Sequence, residues 1–190
     1  DIDTKKAALR SARSLDEDNW RVSLAVIEQS LADEEYEEAA TLAWNALEKH
    51  PERPKLALGY AGALSSLGQY EKCLSFLESF EIIPFEGAVR GRVIYHEAAI
   101  KAALEKLQQE DFENAVTLAE KASRWPRNLG SGKPYNPDER LENFIIAHCY
   151  EKLGRKSDAR RYEREILDFK LEDHQQESAL LYLQIIALRR

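Results

Sequence analysis

The side chains most able to ligate a metal or act as nucleophiles are four histidines and two cysteines. They are His50, His96, His148 and His174, with Cys73 and Cys149. A zinc site needs such ligands grouped at short spacing, and no two of them share a helix face at that spacing. His148 and Cys149 are adjacent, so they point to different helix faces and do not form a Cys–His pair. We predict no metal, no cofactor and no catalytic residue, with both cysteines buried.

A glycine-rich stretch at 130–133, Gly-Ser-Gly-Lys, contains the Gly-Lys pair that ends a phosphate-binding loop. In that motif a glycine lies five positions before the pair, and serine or threonine follows the lysine. Arg127 and Pro134 occupy these two positions here. We therefore predict that the chain binds no nucleotide and is not an enzyme.

Composition and charge exclude several other classes of function. The chain has 190 residues, a net charge of -7 and a pI near 5.3, which opposes nucleic-acid binding because phosphates require a basic surface. It has no apolar run of roughly 20 residues that could cross a membrane, and no apolar signal-peptide core. The sequence contains no methionine. We interpret it as part of a longer protein, unless modified methionines were not counted, and expect it in the cytoplasm, with the periplasm as the alternative.

The strongest pattern in the sequence is an internal repeat. The segment from Tyr36 to Pro51 aligns with that from Tyr70 to Pro84 at an offset of 34 residues. Further copies begin at Phe112 and at Lys156, where the aromatic residue is missing. In each copy small or apolar residues follow three and ten positions after the start, which lets two helices approach closely. These positions are Ala39 and Ala46, Cys73 and Phe80, Ala115 and Ala122, and Ala159 and Ile166.

This pattern resembles the tetratricopeptide repeat family, in which an aromatic residue opens the second helix of each pair and proline closes the unit. The resemblance implies an all-α fold, an α-α superhelix of stacked antiparallel helix pairs. We predict one array over 1–190. Its parts are a trailing helix of a truncated repeat (2–15), repeats at 19–51, 53–84, 90–126 and 137–169, an inserted loop (127–136), and a terminal helix (175–190).

Local signals place the first helices of two pairs. Residues 54–67 begin on a proline and stop at Gly68, a left-handed cap, and residues 137–153 follow a capping Asn136 and stop at Gly154. In the other two pairs, Glu34 and Glu110 replace the usual glycine between the helices. Each of those turns is one residue shorter in the alignment, so we predict that both are tighter.

The insertion at 123–140 is the most individual part of the sequence. We predict an ordered loop pinned to the helices by Trp125 and Tyr135. Because long loops are often functional, Trp125, Lys133 and Tyr135 are also candidate partner contacts. The stretch from Trp125 to Tyr135 resembles one in bacterial multi-repeat proteins that carry a sugar-epimerase-like β-sandwich domain of unknown function before their repeats.

The resemblance implies a binding groove lined by the first helix of each pair. The corresponding positions here are Glu28, Lys55, Leu58, Gly62, Lys101, Phe144, His148, Glu151 and Lys152, together with Arg21, Leu24, Gly59 and Glu105. Chaperone-binding members of the family grip a C-terminal carboxylate with lysine and asparagine. Leu24 and Glu28, then Leu58 and Gly62, stand at those positions, so that clamp is absent.

We therefore predict a protein-interaction scaffold that holds a peptide or a helix in this groove. The alternative is an accessory or oligomerisation module packed on a carbohydrate-acting β-sandwich domain of the same polypeptide. The expected partner is a protein or peptide, or that other domain. The sequence is also compatible with a homo-oligomer. We expect neither a nucleic acid nor a membrane as a partner.

Overall fold

The computed structural model describes residues 8, 9, 11, 12, 16, 18–84 and 88–170. Within these residues all regular secondary structure is helical, with eight α-helices, one 3-10 turn and no strand. The first four helices are α1 (Trp20–Ala32), α2 (Tyr36–Lys49), α3 (Pro54–Ser66) and α4 (Tyr70–Ser79). They are followed by α5 (Val89–Gln108), α6 (Phe112–Ala122), the 3-10 turn Arg127–Leu129, α7 (Arg140–Lys152) and α8 (Lys156–Asp168).

The helices pack in consecutive pairs, which confirms the all-α repeat fold predicted from the sequence. The chain forms two compact units, Asp1–Tyr95 with Pro126–Ser131, and His96–Trp125 with Gly132–Arg190. In the first unit each helix from α1 to α4 packs on the next, and α1 also packs on α3. In the second unit α7 packs on both α6 and α8. Contact between alternate helices such as α1 and α3 is typical of stacked repeats.

The small residues of the repeat lie where the helices approach most closely. Ala39 of α2, Cys73 of α4 and Ala115 of α6 are completely buried, and Ala159 of α8 is nearly so. The aromatic residues that open the second helices are only half-buried. The repeat pattern is therefore a packing pattern, in which each unit buries apolar surface against its neighbours.

All four turns inside the helix pairs have the same length, so the prediction of two tighter turns was wrong. Each turn has three residues, and its middle residue has a left-handed backbone: Glu34 (φ 62°), Gly68 (φ 73°), Glu110 (φ 59°) and Gly154 (φ 73°). In each turn the next residue donates its N–H to a carbonyl five positions back, at 2.8 or 2.9 Å. This pattern of hydrogen bonding at the C-terminal end of a helix is typical of the Schellman motif. The alignment misplaced the turns because glutamate concealed two of the left-handed positions.

The two glutamates predict a stabilising change. Glu34→Gly should raise the free energy of unfolding by about 0.5 to 1 kcal/mol, because a side chain disfavours the left-handed backbone. Gly68→Ala, at the equivalent position, should lower it by a similar amount. Denaturant unfolding followed by circular dichroism measures both changes.

Glu34→Ala is the matched control, since it removes the carboxylate but keeps a β-carbon on the left-handed residue. We expect no stabilisation from it. If Glu34→Ala and Glu34→Gly stabilised the chain equally, the effect would come from the lost charge and not from the backbone.

The two predicted terminal segments are described only in small part. Residues 8, 9, 11 and 12, within the helix predicted at 2–15, are helical. The terminal helix predicted at 175–190 lies outside the described residues. Helix α7 begins at Arg140, three residues after its predicted start. The N-cap of α7 is Glu139, and the side-chain amide of the predicted cap Asn136 donates to the Lys170 carbonyl at 3.0 Å.

Candidate functional site

About half of the predicted groove residues lie on α1 and α3, the first helices of the pairs in the first unit. Asn19 caps α1 by accepting the Arg21 N–H at 3.0 Å, and Pro54 starts α3 with a fixed backbone angle. A β-carbon at Gly59 would lie 3.0 Å from Ile27 Cγ2, so glycine allows α3 to pack directly against α1. The two helices therefore lie side by side.

Several of the groove residues predicted in this unit are accessible. Glu28 and Lys55 are exposed, and Gly62 is half-buried with no atom within 4 Å of an added β-carbon. Leu58 is different, because only 3% of it is exposed. Its Cδ2 lies 3.4 Å from a β-carbon built at Gly91 of α5. Leu58 thus fills the space between α3 and the start of α5, and it offers a partner little surface.

The other predicted groove residues belong to the second unit. Lys101 and Glu105 are exposed on α5, and Glu151 and Lys152 are exposed near the end of α7. Phe144 and His148 are half-buried and lie one turn apart on α7. Within this unit, Phe144, His148, Glu151 and Lys152 form a mixed apolar and polar face on one helix.

A hydrogen bond between α5 and α7 in this unit was not predicted from the sequence. His96 Nε2 of α5 lies 2.8 Å from Glu142 Oε1 of α7, and only 2% of Glu142 is exposed. The two residues are 46 positions apart, so spacing along the chain could not reveal the pair. Because a buried carboxylate requires a hydrogen-bond donor, His96 has a structural role in joining the two helices.

The inserted loop is held differently from the prediction. Tyr135 is 99% exposed, so it does not pin the loop. Lys133 forms an ion pair with Glu139 at 2.8 Å, and Trp125 is half-buried. Asn128 also holds the loop, because its side-chain amide donates to the carbonyls of Leu77 at 2.7 Å and of Phe80 at 2.8 Å.

The residues after Asn128 complete this attachment in the first unit. The Ile82 N–H donates to the Asn128 carbonyl at 2.6 Å, and Leu129 is completely buried. Gly130 has a left-handed backbone (φ 65°), and an added β-carbon would lie 2.6 Å from the Ile82 carbonyl oxygen. Gly130, the first residue of the glycine-rich stretch at 130–133, is thus required for close backbone packing.

The cysteines are buried, as predicted, and their surroundings do not suit nucleophilic chemistry. Burial raises the pKa of the Cys149 thiol to about 11, so the thiol stays protonated at neutral pH. Cys73 Sγ lies 3.3 Å from the Ala61 carbonyl oxygen inside the first helix pairs. Among the described residues, no three histidine, cysteine or acidic side chains are grouped to hold a metal ion, and no helix is long and apolar enough to span a membrane.

A pair of arginines is the most distinctive polar feature of the first unit. The guanidinium carbons of Arg21 and Arg53 lie 4.6 and 4.8 Å from the centre of the Trp20 ring. The repeat pattern predicted Arg21 as a groove residue. It did not single out Arg53 or Trp20. The ring holds two like charges at the starts of α1 and α3 through cation–π contacts.

Comparison with known families supports the repeat in this unit. Residues 30–79 match a family model described as a tetratricopeptide repeat. The matched segment runs from the end of α1 to Ser79, the last residue of α4, and so contains α2, α3 and α4. The family resemblance of these helix pairs is thereby supported. No curated protein matches the chain.

Proposed function

We propose that this chain is a protein-interaction scaffold that holds a peptide or helix of a partner in the groove lined by its first helices. The tetratricopeptide match at 30–79 carries the proposal, since it covers helix pairs whose accessible positions include Lys55 and Gly62. Tetratricopeptide repeats generally support protein partners. The buried cysteines and the structural His96–Glu142 pair add nothing that would favour catalysis.

The chemistry of the exposed face supports a protein ligand. Glu28 and Lys55 offer charged contacts, while Gly62 leaves the backbone of α3 open to close approach. Leu24 adds a half-buried apolar side chain. A lining of this mixed kind suits an extended peptide or an amphipathic helix.

The open space at Gly62 gives a direct test of the proposal. Gly62→Arg should preserve or raise stability by about 0.5 to 1 kcal/mol, because arginine favours a helix interior and meets no neighbouring atom. The same side chain would occupy the proposed binding face. We expect at least a tenfold loss of partner, measured by quantitative mass spectrometry after capture on the immobilised chain.

Gly132→Arg is the matched control, because Gly132 also lies in open space but in the inserted loop. It should leave partner capture within about twofold of the original chain. Equal capture by both variants, with both folded by circular dichroism, would refute binding at this face.

A further inference from the structure

Three basic residues stand at the starts of α1 and α3, where basic residues are unfavourable. Arg21 is the second residue of α1, Arg53 is the N-cap of α3, and Lys55 is its second residue. Neither helix has an acidic residue in its first turn. Because the N-terminal end of a helix carries partial positive charge, cations there weaken the helix. These residues, here called the basic cluster, are therefore not placed for helix stability.

The second helices of the pairs show the opposite arrangement. The first turns of α2, α4, α6 and α8 all contain an acidic residue: Glu37 and Glu38, Glu71, Glu113, and Asp158. The first turn of each second helix thus contains at least one acidic residue, whereas the first turns of α1 and α3 contain none. The chain lacks them there although its net charge is -7.

Trp20 fixes the geometry of the basic cluster. The guanidinium groups of Arg21 and Arg53 both stack on its ring, so a single side chain positions both cations. A stacked guanidinium keeps its N–H edge available for a carboxylate. Preorganised arginines lose little conformational freedom when they bind.

Nearby acidic side chains neutralise the cluster only in part. Glu52 Oε1 lies 2.9 Å from Arg53 Nε, and Asp18 is paired with Lys49. In the described part of the chain, no acidic side chain forms an ion pair with Arg21 or Lys55. The nearest acidic groove residue on α1, Glu28, lies two turns beyond Arg21.

We infer that the basic cluster binds an acidic segment of the partner protein. The inference rests on the proposed function and names the class of ligand that the face takes. Arg21 and Lys55 are 34 positions apart, which is one repeat, and their helices pack side by side. Packed helix axes lie roughly 8 to 10 Å apart, which three residues of a peptide in the polyproline II conformation span, with side chains three positions apart on the same face. Carboxylates at every third position would therefore match the two cations.

A peptide fits this chain better than a nucleic acid does. The overall charge of -7 repels a long polyphosphate, and nucleic-acid binding requires a basic surface that covers many phosphates. A few carboxylates need only the local cluster, since charges farther away than about 10 Å are screened at moderate salt. Bidentate arginine–carboxylate pairs add directional hydrogen bonds.

Fluorescence anisotropy with defined probes tests the inference. The probes are a labelled peptide with glutamate at every third position among serine and glycine, its glutamine counterpart, and an oligothymidylate. We expect the chain to bind the glutamate peptide at least about tenfold more tightly than the glutamine peptide. The triple variant Arg21→Gln, Arg53→Gln, Lys55→Gln should lose about tenfold in affinity, and added salt should weaken binding.

A matched triple variant controls for net charge. Lys72→Gln, Lys156→Gln and Arg160→Gln remove three exposed cations from second helices, and we expect affinity within about twofold of the original. If the first triple variant unfolds, Lys55→Gln alone should still weaken binding about twofold to fivefold. Equal binding of the two peptides, equal affinities of the two triple variants, or tighter binding of oligothymidylate would overturn the inference.

The outcomes separate this inference from the proposed function. If Gly62→Arg abolishes partner capture while the first triple variant captures the partner normally, the scaffold function stands and the acidic-ligand assignment fails. If neither variant changes partner capture, the proposed binding face itself fails.

Discussion

Replacing Asp138 by alanine is expected to lower the free energy of unfolding by about 3 to 5 kcal/mol, because it leaves a buried positive charge without its carboxylate. Arg140 is only 1% exposed, and its Nε and Nη2 donate to the two Asp138 carboxylate oxygens at 2.8 and 2.7 Å. Its guanidinium also stacks on Phe169, 4.7 Å from the ring centre. Denaturant unfolding followed by circular dichroism measures the loss.

Asp158 provides the matched control. It pairs with Arg155 at 2.7 Å, but Arg155 is exposed, so Asp158→Ala should cost less than about 1 kcal/mol. The double variant Asp138→Ala, Arg140→Met should be less damaging than Asp138→Ala alone, since it also removes the buried charge. A cost for Asp138→Ala as small as that for Asp158→Ala would contradict the described burial of this pair.

Gly130→Ala is expected to destabilise the first unit by about 3 kcal/mol or more. The added β-carbon would lie 2.6 Å from the Ile82 carbonyl oxygen and 3.2 Å from the Pro84 nitrogen, both of which are backbone atoms. Alanine also disfavours the left-handed conformation of this residue by roughly 1 to 2 kcal/mol. To relieve the clash, the backbone at 82–84 or at 128–130 would have to shift. Thermal and denaturant unfolding measure the effect.

Gly132 is the natural comparison, because it lies two residues along the same loop and an added β-carbon meets nothing. Gly132→Ala should change stability by less than about 0.5 kcal/mol. If Gly130→Ala were equally harmless, the close packing of Gly130 against the chain at Ile82 would be wrong.

Features set by neighbouring residues could be read from the sequence. Pro54 and Gly68 mark the start and end of one helix because each acts on its own backbone angle. The repeat of small residues, such as Ala39 and Cys73, follows from helix contacts that recur at each 34-residue step. The all-α fold and the buried cysteines were therefore predictable.

Features set by contacts between distant segments were not predictable in this way. Leu58 carries the periodicity of a groove residue, but the start of α5 covers it. Nothing near Asn128 in the sequence signals its bonds to carbonyls about 50 residues away. Asn136 was predicted to cap α7 because of its residue type and position. Its side-chain amide instead donates to the Lys170 carbonyl after α8.

The glutamate turns show a third limit. Glycine at Gly68 and Gly154 signals a left-handed residue, whereas Glu34 and Glu110 adopt the same conformation without that signal. Only the hydrogen-bond pattern of the folded chain reveals that all four turns are equivalent.

Site-specific photo-crosslinking tests the central claim most directly. A benzophenone side chain at Glu28 or Lys55 would face a partner bound on the first helices, and one at Thr41 or Lys72 would report from exposed positions of the second helices. The account predicts that the same partner protein crosslinks from Glu28 and Lys55 and not from Thr41 or Lys72. Crosslinks formed only from Thr41 and Lys72, or equally from all four positions, would contradict it.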